Sequence, residues 1–165
     1  MNYEAARQSI KSGDLLAWSH RGWGSWYDFQ VQMVRVFTRS EYCHVGIAWV
    51  IAGRVFVLES VQKGIRLFPL SRLLPFYWLP LPVLWTAEVE EFALSKLGAP
   101  YSKFQAVLAG VGELKAEDDN IWQCAEYAQA ILRRLDCKLE TQPTPSSLVQ
   151  EAMRKGASIT WVEES

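Results

Sequence analysis

Two apolar runs dominate the pattern along the chain: Tyr42-Cys43-His44-Val45-Gly46-Ile47-Ala48-Trp49-Val50 and Val55-Phe56-Val57-Leu58-Glu59-Ser60, joined by Ile51-Ala52-Gly53-Arg54. Both are rich in β-branched and aromatic residues, and a connection containing glycine separates them, which is the pattern of a β-hairpin. A loop centred between Ala52 and Gly53 pairs Val50 with Val55, Gly46 with Glu59 and His44 with Val61. Cross-strand partners share a face and side chains alternate with period two, so His44 and Glu59 are expected diagonally on one face. An imidazole and a carboxylate on a largely apolar surface are costly unless they satisfy one another or do chemistry. A half-buried structural ion pair and a catalytic pair both fit this pattern.

The other elements follow from periodicity and punctuation. A short helix or arm over 1–12 stops at Gly13, and a strand over 14–19 precedes a glycine-rich loop. Phe29, Met33 and Val36 or Phe37 carry a helical period over 27–37. After the hairpin, 65–68 reads as a third strand ended by Pro69, 70–74 as a helical turn, and the proline-punctuated segment 76–85 as an edge strand. Thr86 can cap a helix whose apolar face includes Val89, Phe92, Ala93 and Leu97, and Gly98 and Pro100 end it. A further helix is expected over 101–108, then a glycine-rich acidic loop over 110–119.

The strongest helical pattern covers 120–135, with Asp119 or Asn120 as cap, Gln123 completing a capping box, and Arg133 and Arg134 at the negative end of the dipole. Its expected buried stripe is Cys124, Ala128, Ile131 and Leu135. A proline-serine loop over 142–147, a short helix over 148–155 and a strand over 157–162 complete the chain. Without repeats, low-complexity tracts or a linker, the expectation is one α+β domain spanning 1–165.

Composition narrows the partners more than the fold. Half of the 165 residues are apolar and eight are Trp, the makeup of a packed core, and a net charge of −1 without basic runs leaves no electrostatic footprint for nucleic acid. The most apolar segment, 73–85, is too short to cross a bilayer and is broken by Pro75, Pro80 and Pro82. No charged n-region and apolar h-region open the chain, so no secretory signal is expected and a cytoplasmic location is the default, non-classical release aside. Three cysteines, Cys43, Cys124 and Cys137, are an odd set that argues for reduced thiols.

Cys124 is the cysteine at a helix start. A thiol acts as a nucleophile in its thiolate form, which a helix N-terminus and a neighbouring imidazolium both favour. If the helix packs on the hairpin, His44 can serve as base and then as acid to the leaving group, and Glu59 can hold the imidazole tautomer and stabilise the cation. The Cys124 backbone N–H, helped by a donor such as Gln123, is a reasonable oxyanion hole. No cofactor is needed for this chemistry.

The ordered set Gly13-Asp14-Leu15-Leu16, His44-Val45-Gly46-Ile47, Glu59, Leu97-Gly98-Ala99-Pro100-Tyr101 and Cys124-Ala125-Glu126 resembles the circularly permuted branch of the NlpC-type, papain-like cysteine hydrolases. The resemblance runs from about residue 13 to 155. It implies a papain-like fold, Cys124 as nucleophile, His44 as base, Glu59 as its orienting polar residue and Tyr101 near the pocket; Gln123, as a donor beside Cys124, and Trp122, among aromatics that can line an acyl groove, are the other expected substrate contacts. It further implies thiol acyl-transfer chemistry, either cleavage of a peptide amide, a murein peptide first among substrates, or lipid acyl transfer and thioester hydrolysis as in relatives of lecithin retinol acyltransferase.

Two readings stand outside that class. A zinc module would need Cys43, His44, Cys124 and Cys137, but the paired spacing of such sites is missing, and strict alternation puts Cys43 and His44 on opposite faces. The other is a domain of the same fold that binds a partner without turnover. His20 in its Gly/Trp loop, Cys137, Glu126, Arg133 and Asp14 are read as structural or surface residues.

Overall fold

The hairpin forms as its residues dictate. In the computed structural model, which describes residues 1–19, 41–99, 123–139 and 142–164, β2 (Tyr42–Ile51) and β3 (Arg54–Val61) pair antiparallel from Ile51↔Arg54 through Val50↔Val55 to Ile47↔Leu58. Ala52 and Gly53 at the turn have φ of 49° and 71°, the two positive values that a type I′ turn requires and that match the twist of the strands it joins. β4 (Gly64–Pro69) continues the meander. A Cβ on Gly64 would lie 2.6 Å from the Ala99 carbonyl oxygen, so this position admits only glycine. The close approach lets Ile65 N–H donate to the Ala99 carbonyl and Gly98 N–H donate to the Ile65 carbonyl, which pins the start of β4.

On its other side β2 pairs with β1 (Leu15–Ser19), followed by β5 (Phe76–Leu79) and β6 (Thr160–Val162). The result is a six-stranded antiparallel sheet in the order β4-β3-β2-β1-β5-β6. The expected edge strand over 76–85 is therefore corrected. β5 sits between β1 and β6, and it tolerates that place because it ends at Leu79, so Pro80 and Pro82 fall outside the hydrogen-bonded ladder.

Helices cover both faces. On one, α3 (Cys124–Arg134), α4 (Pro145–Arg154) and α2 (Ala87–Ser95) bury Val89, Ala128, Ile131 and Leu148 against Leu15, Val45, Ile47 and Leu58. On the other, α1 (Tyr3–Ala6) and a 3-10 turn at Leu70–Arg72 close over Leu16, Trp18, Val57 and Phe76. At roughly 1.5–3 kcal/mol for each large apolar side chain removed from water, these two clusters are what hold the sheet between its layers. Two polar ties fix the helices to the sheet: Trp49 Nε1 donates to Glu90 on α2, and Tyr42 N–H donates to Ser146 Oγ at the start of α4.

Helix starts differ from the periodic pattern because acceptor side chains decide them. α3 begins at Cys124, with Gln123 extended before it and Glu126 accepting from the Gln123 backbone N–H at 2.9 Å. Asp119 and Asn120 are not its cap. α4 begins at Pro145, three residues earlier than expected, because Thr144 accepts from Ser147 N–H and Pro145 stands at the first helical position, where its missing donor costs nothing. The helices expected over 27–37 and 101–108 and the loop over 110–119 lie outside the described residues. Among the described residues no helix is long and apolar enough to cross a membrane.

Candidate functional site

His44 leaves β2 on the side of Trp18, its partner across the β1 ladder, and the two rings lie 5.3 Å apart. Trp18 is itself locked by donating its indole N–H to the Leu73 carbonyl at 2.8 Å. Glu59, on β3, is fully buried beneath the imidazole, and its Oε2 accepts from His44 Nε2 at 2.6 Å. The strand between them must be thin at this point. A Cβ on Gly46 would meet a Val57 methyl at 2.4 Å and the Glu59 Cβ at 3.4 Å, so glycine keeps room for the diagonal pair. The juxtaposition of His44 with Glu59 is the one expected from the hairpin register.

The imidazole is also coupled electrostatically to the Cys124 side chain, an interaction that favours the charged ring. With Nε2 committed to Glu59, Nδ1 is the ring nitrogen left for the thiol. Cys124 is the first residue of α3 and only half-buried, whereas Ala125, Ala128, Ile131 and Leu132 carry the packing. The expected stripe is thus shifted. Ala125 takes the buried place assigned to Cys124, and the sulfur stands at the tip of the helix, where the backbone N–H groups of the first turn have no intrahelical acceptor.

One feature of β2 departs from the expected alternation. Its register against β1 slips between Trp18↔His44 and Ser19↔Tyr42, leaving Cys43 as an extra residue, a β-bulge. Strict alternation assigned Cys43 to the face away from His44, but alternation fails at a bulge. Tyr42 accordingly joins the core under α3, and the Cys43 thiol, which contacts the Trp18 carbonyl at 3.4 Å, lies within electrostatic range of Cys124. Burial first, then the charge of Cys124, push the Cys43 thiol up to about 11, so it stays protonated at neutral pH.

Charges in the site are strongly coupled. Burial works against a charged imidazole, but hydrogen bonds and charge interactions with Cys124 and Glu59 outweigh it and raise His44 from 6.5 to about 10. Burial alone would raise the Glu59 carboxyl. The contacts of His44, and then of Arg66, overcome it and hold the carboxyl below its ordinary range. Arg66, on β4, is the cross-strand partner of Glu59, with Nε donating to Oε1 at 2.7 Å and Nη2 at 2.6 Å from the same oxygen. At neutral pH the site therefore holds an imidazolium against an ionised carboxylate, beside the Cys124 side chain.

Of the other residues expected at the site, Gln123 adjoins Cys124, and its backbone N–H is already engaged by Glu126. Tyr101 and Trp122 lie outside the described residues, as does His20. Cys137 lies beyond the end of α3, its backbone N–H donating to the Leu132 carbonyl. Among the described residues no group of three or more His, Cys, Asp and Glu side chains is placed to hold a metal ion. Sequence reasoning missed Arg66 and Glu126. Continuing the meander register through the turn before Gly64 pairs Arg66 with Glu59, and Glu126 stands three residues after Gln123, so both carried a signal.

No protein-family model matches the chain, and no curated protein matches it in sequence. Among solved structures it is similar to the crystal structure of metalloprotein yiiX from Escherichia coli O157:H7 (DUF1105), at 16% identity and a TM-score of 0.55, with 94% of this chain and 97% of that chain covered. The likeness shows a shared fold. That fold is α+β, with the antiparallel sheet between helical layers described above.

Proposed function

We propose that this chain is a cysteine hydrolase of the circularly permuted NlpC-type, papain-like class, with Cys124 as nucleophile, His44 as its acid and base, and Glu59 as the group that orients the imidazole. The observation that carries the reading is the buried pair of His44 Nε2 and Glu59 Oε2 at 2.6 Å, whose imidazole is coupled to the Cys124 side chain at the head of α3. Three polar groups from three separate elements meet at one point, two of them buried, and burial of that kind is costly where it has no use.

In this reading Cys124 Sγ attacks a carbonyl carbon, and the Cys124 N–H at the helix tip stabilises the developing oxyanion. His44 gives its proton to the departing amine, leaving a thioester on the sulfur. Water then attacks that thioester as His44 takes its proton, releasing the acid and restoring the thiolate and imidazolium. A murein-type peptide amide is the first substrate class, and an acyl ester or thioester is the alternative of the same chemistry. The yiiX protein is described as a metalloprotein, a property of that protein. For this chain it suggests a control, since zinc retained in stoichiometric amount would favour a metal-binding module instead.

Intact-mass measurement against a mixed panel of muropeptides and acyl thioesters tests the proposal. An acyl adduct is expected on the wild-type protein and not on Cys124→Ala or His44→Ala, both of which should keep the helix and sheet content of the parent. A wild-type protein that stays unmodified by every member of the panel, with a Cys124 no more reactive to iodoacetamide than Cys137, would sink the hydrolase reading.

A further inference from the structure

Counting charge around Glu59 exposes a residue that the triad does not include. The groups facing this carboxylate are His44 from β2 and Arg66 from β4, and Cys124 of α3 is reached through the imidazole. Two cations therefore share one carboxylate. With a neutral thiol the cluster carries one surplus positive charge, and with a thiolate it is electrically neutral. Were Arg66 missing, the imidazolium and carboxylate would cancel by themselves, and a thiolate would be the surplus charge beside a buried pair.

Local structure keeps Arg66 in this place. Its guanidinium carbon lies 4.2 Å from the centre of the Phe68 ring, two residues along the same strand and therefore on the same face. Its side chain is 23% exposed while that of Glu59 is fully covered, so the guanidinium closes the solvent side of the carboxylate. Both of its near nitrogens address Oε1, which reserves Oε2 for His44. The Gly64 and Ala99 contacts pin the strand two residues before it.

We infer that Arg66 is a positioning residue of the proposed hydrolase site that acts through Glu59, holding the carboxylate toward His44 and offsetting its charge so that the cluster is neutral with a thiolate on Cys124. This rests on the hydrolase reading but adds a separate claim about how the charge of the site is balanced. Arg66 would act without touching substrate.

The test is the pH profile of Cys124 alkylation by iodoacetamide, followed by intact mass, for wild type, Arg66→Ala, Arg66→Lys and Glu59→Gln, and for Arg66→Ala in the Glu59→Gln background. In Arg66→Ala the acid limb should move to higher pH by about one unit, so that alkylation just below neutrality slows about tenfold. Arg66→Lys, which keeps the charge but loses the fork, should recover part of the shift, and it serves as the readout if the alanine variant does not fold. In the Glu59→Gln background, Arg66→Ala should add little. Superimposable profiles for wild type and Arg66→Ala, or an equal shift with and without Glu59, would overturn the inference while leaving a reactive Cys124 intact. An unreactive wild-type Cys124 would instead overturn the hydrolase reading itself.

Discussion

Asp14 and Glu59 are two acids buried in the same sheet, and their surroundings assign them opposite work. Asp14, at the start of β1, accepts from Lys11 N–H at 2.9 Å, from the Trp78 indole at 2.8 Å and from Leu81 N–H at 3.0 Å. All three donors are neutral groups, and the Lys11 charge acts only weakly, so burial wins and the Asp14 carboxyl is raised above its ordinary value. Glu59 is buried more completely, yet it is held below its ordinary value by His44 and Arg66. Burial does not distinguish a structural carboxylate from a reactive one. The charge of its partners does, and so does whether a titratable partner leads onward to a nucleophile.

The largest test of this contrast is a pair of truncations with crossed outcomes. Asp14→Ala strands three donors, two of them only partly buried, at about 1–3 kcal/mol for each orphaned group, so a loss of about 3 kcal/mol or more is expected in denaturant titration. The Cys124 alkylation rate of the molecules that remain folded should be unchanged. Glu59→Gln should reverse the second outcome, slowing Cys124 acylation by about tenfold or more because the imidazolium loses its counter-charge, alongside a stability loss at neutral pH from the two cations left unbalanced. If Asp14→Ala silenced the thiol as well, the division between the two carboxylates would fail.

A titration of stability sharpens the same contrast by sign. His44 has its folded value raised, from 6.5 to about 10. Its contribution is complete below about 6.5, declines above it, and is lost as the pH rises through about 10. Glu59 has its folded value lowered, so its contribution is present above the ordinary carboxylate range and disappears as the pH falls through the folded value. Asp14, with a raised value, works against that acid loss, since its protonated form is favoured in the folded state. Denaturant midpoints measured from acid to alkaline pH should therefore fall on both sides of a neutral plateau. Glu59→Gln should flatten the alkaline fall, and Asp14→Asn should steepen the acid one.

How much of this is readable from the residues alone follows the range of each interaction. The hairpin, its turn and its register depend on neighbours close in sequence, and alternation alone brings His44 to Glu59. The end of β5 at Leu79 is also a local matter, since proline cannot donate to a ladder, but the pairing of β5 with β6 depends on a strand more than eighty residues away. The start of α3 is ambiguous in sequence because Asp119, Asn120 and Gln123 all offer capping chemistry, and the choice falls to Glu126. The bulge at Cys43 has no signature in the sequence, because one extra residue in an apolar strand leaves the composition of that strand intact. The position of the sulfur relative to the imidazole is a tertiary fact that no local pattern could supply.

The smallest effect expected is at Gly46, and it asks how finely the Glu59 carboxylate is set. In Gly46→Ala the new methyl would sit 2.4 Å from a Val57 methyl and 3.1 Å from the Leu58 carbonyl oxygen, while Glu59 Cβ at 3.4 Å would be in ordinary contact. Val57 is fully buried and β-branched, hence stiff, so overpacking should cost about 1–3 kcal/mol, less than the loss expected at Asp14. Whatever relief the strand finds passes through β3, which carries both Val57 and Glu59. A shift of a few tenths of an ångström in Glu59 is small against a hydrogen bond of 2.6 Å but falls directly on it. Gly46→Ala should therefore lower thiol reactivity by a few-fold in folded protein, a drop that Val57→Ala, by removing the obstructing methyl, should reverse in the double variant. Reactivity untouched by Gly46→Ala would mean that the carboxylate tolerates more play than a site built on its contact with His44 allows.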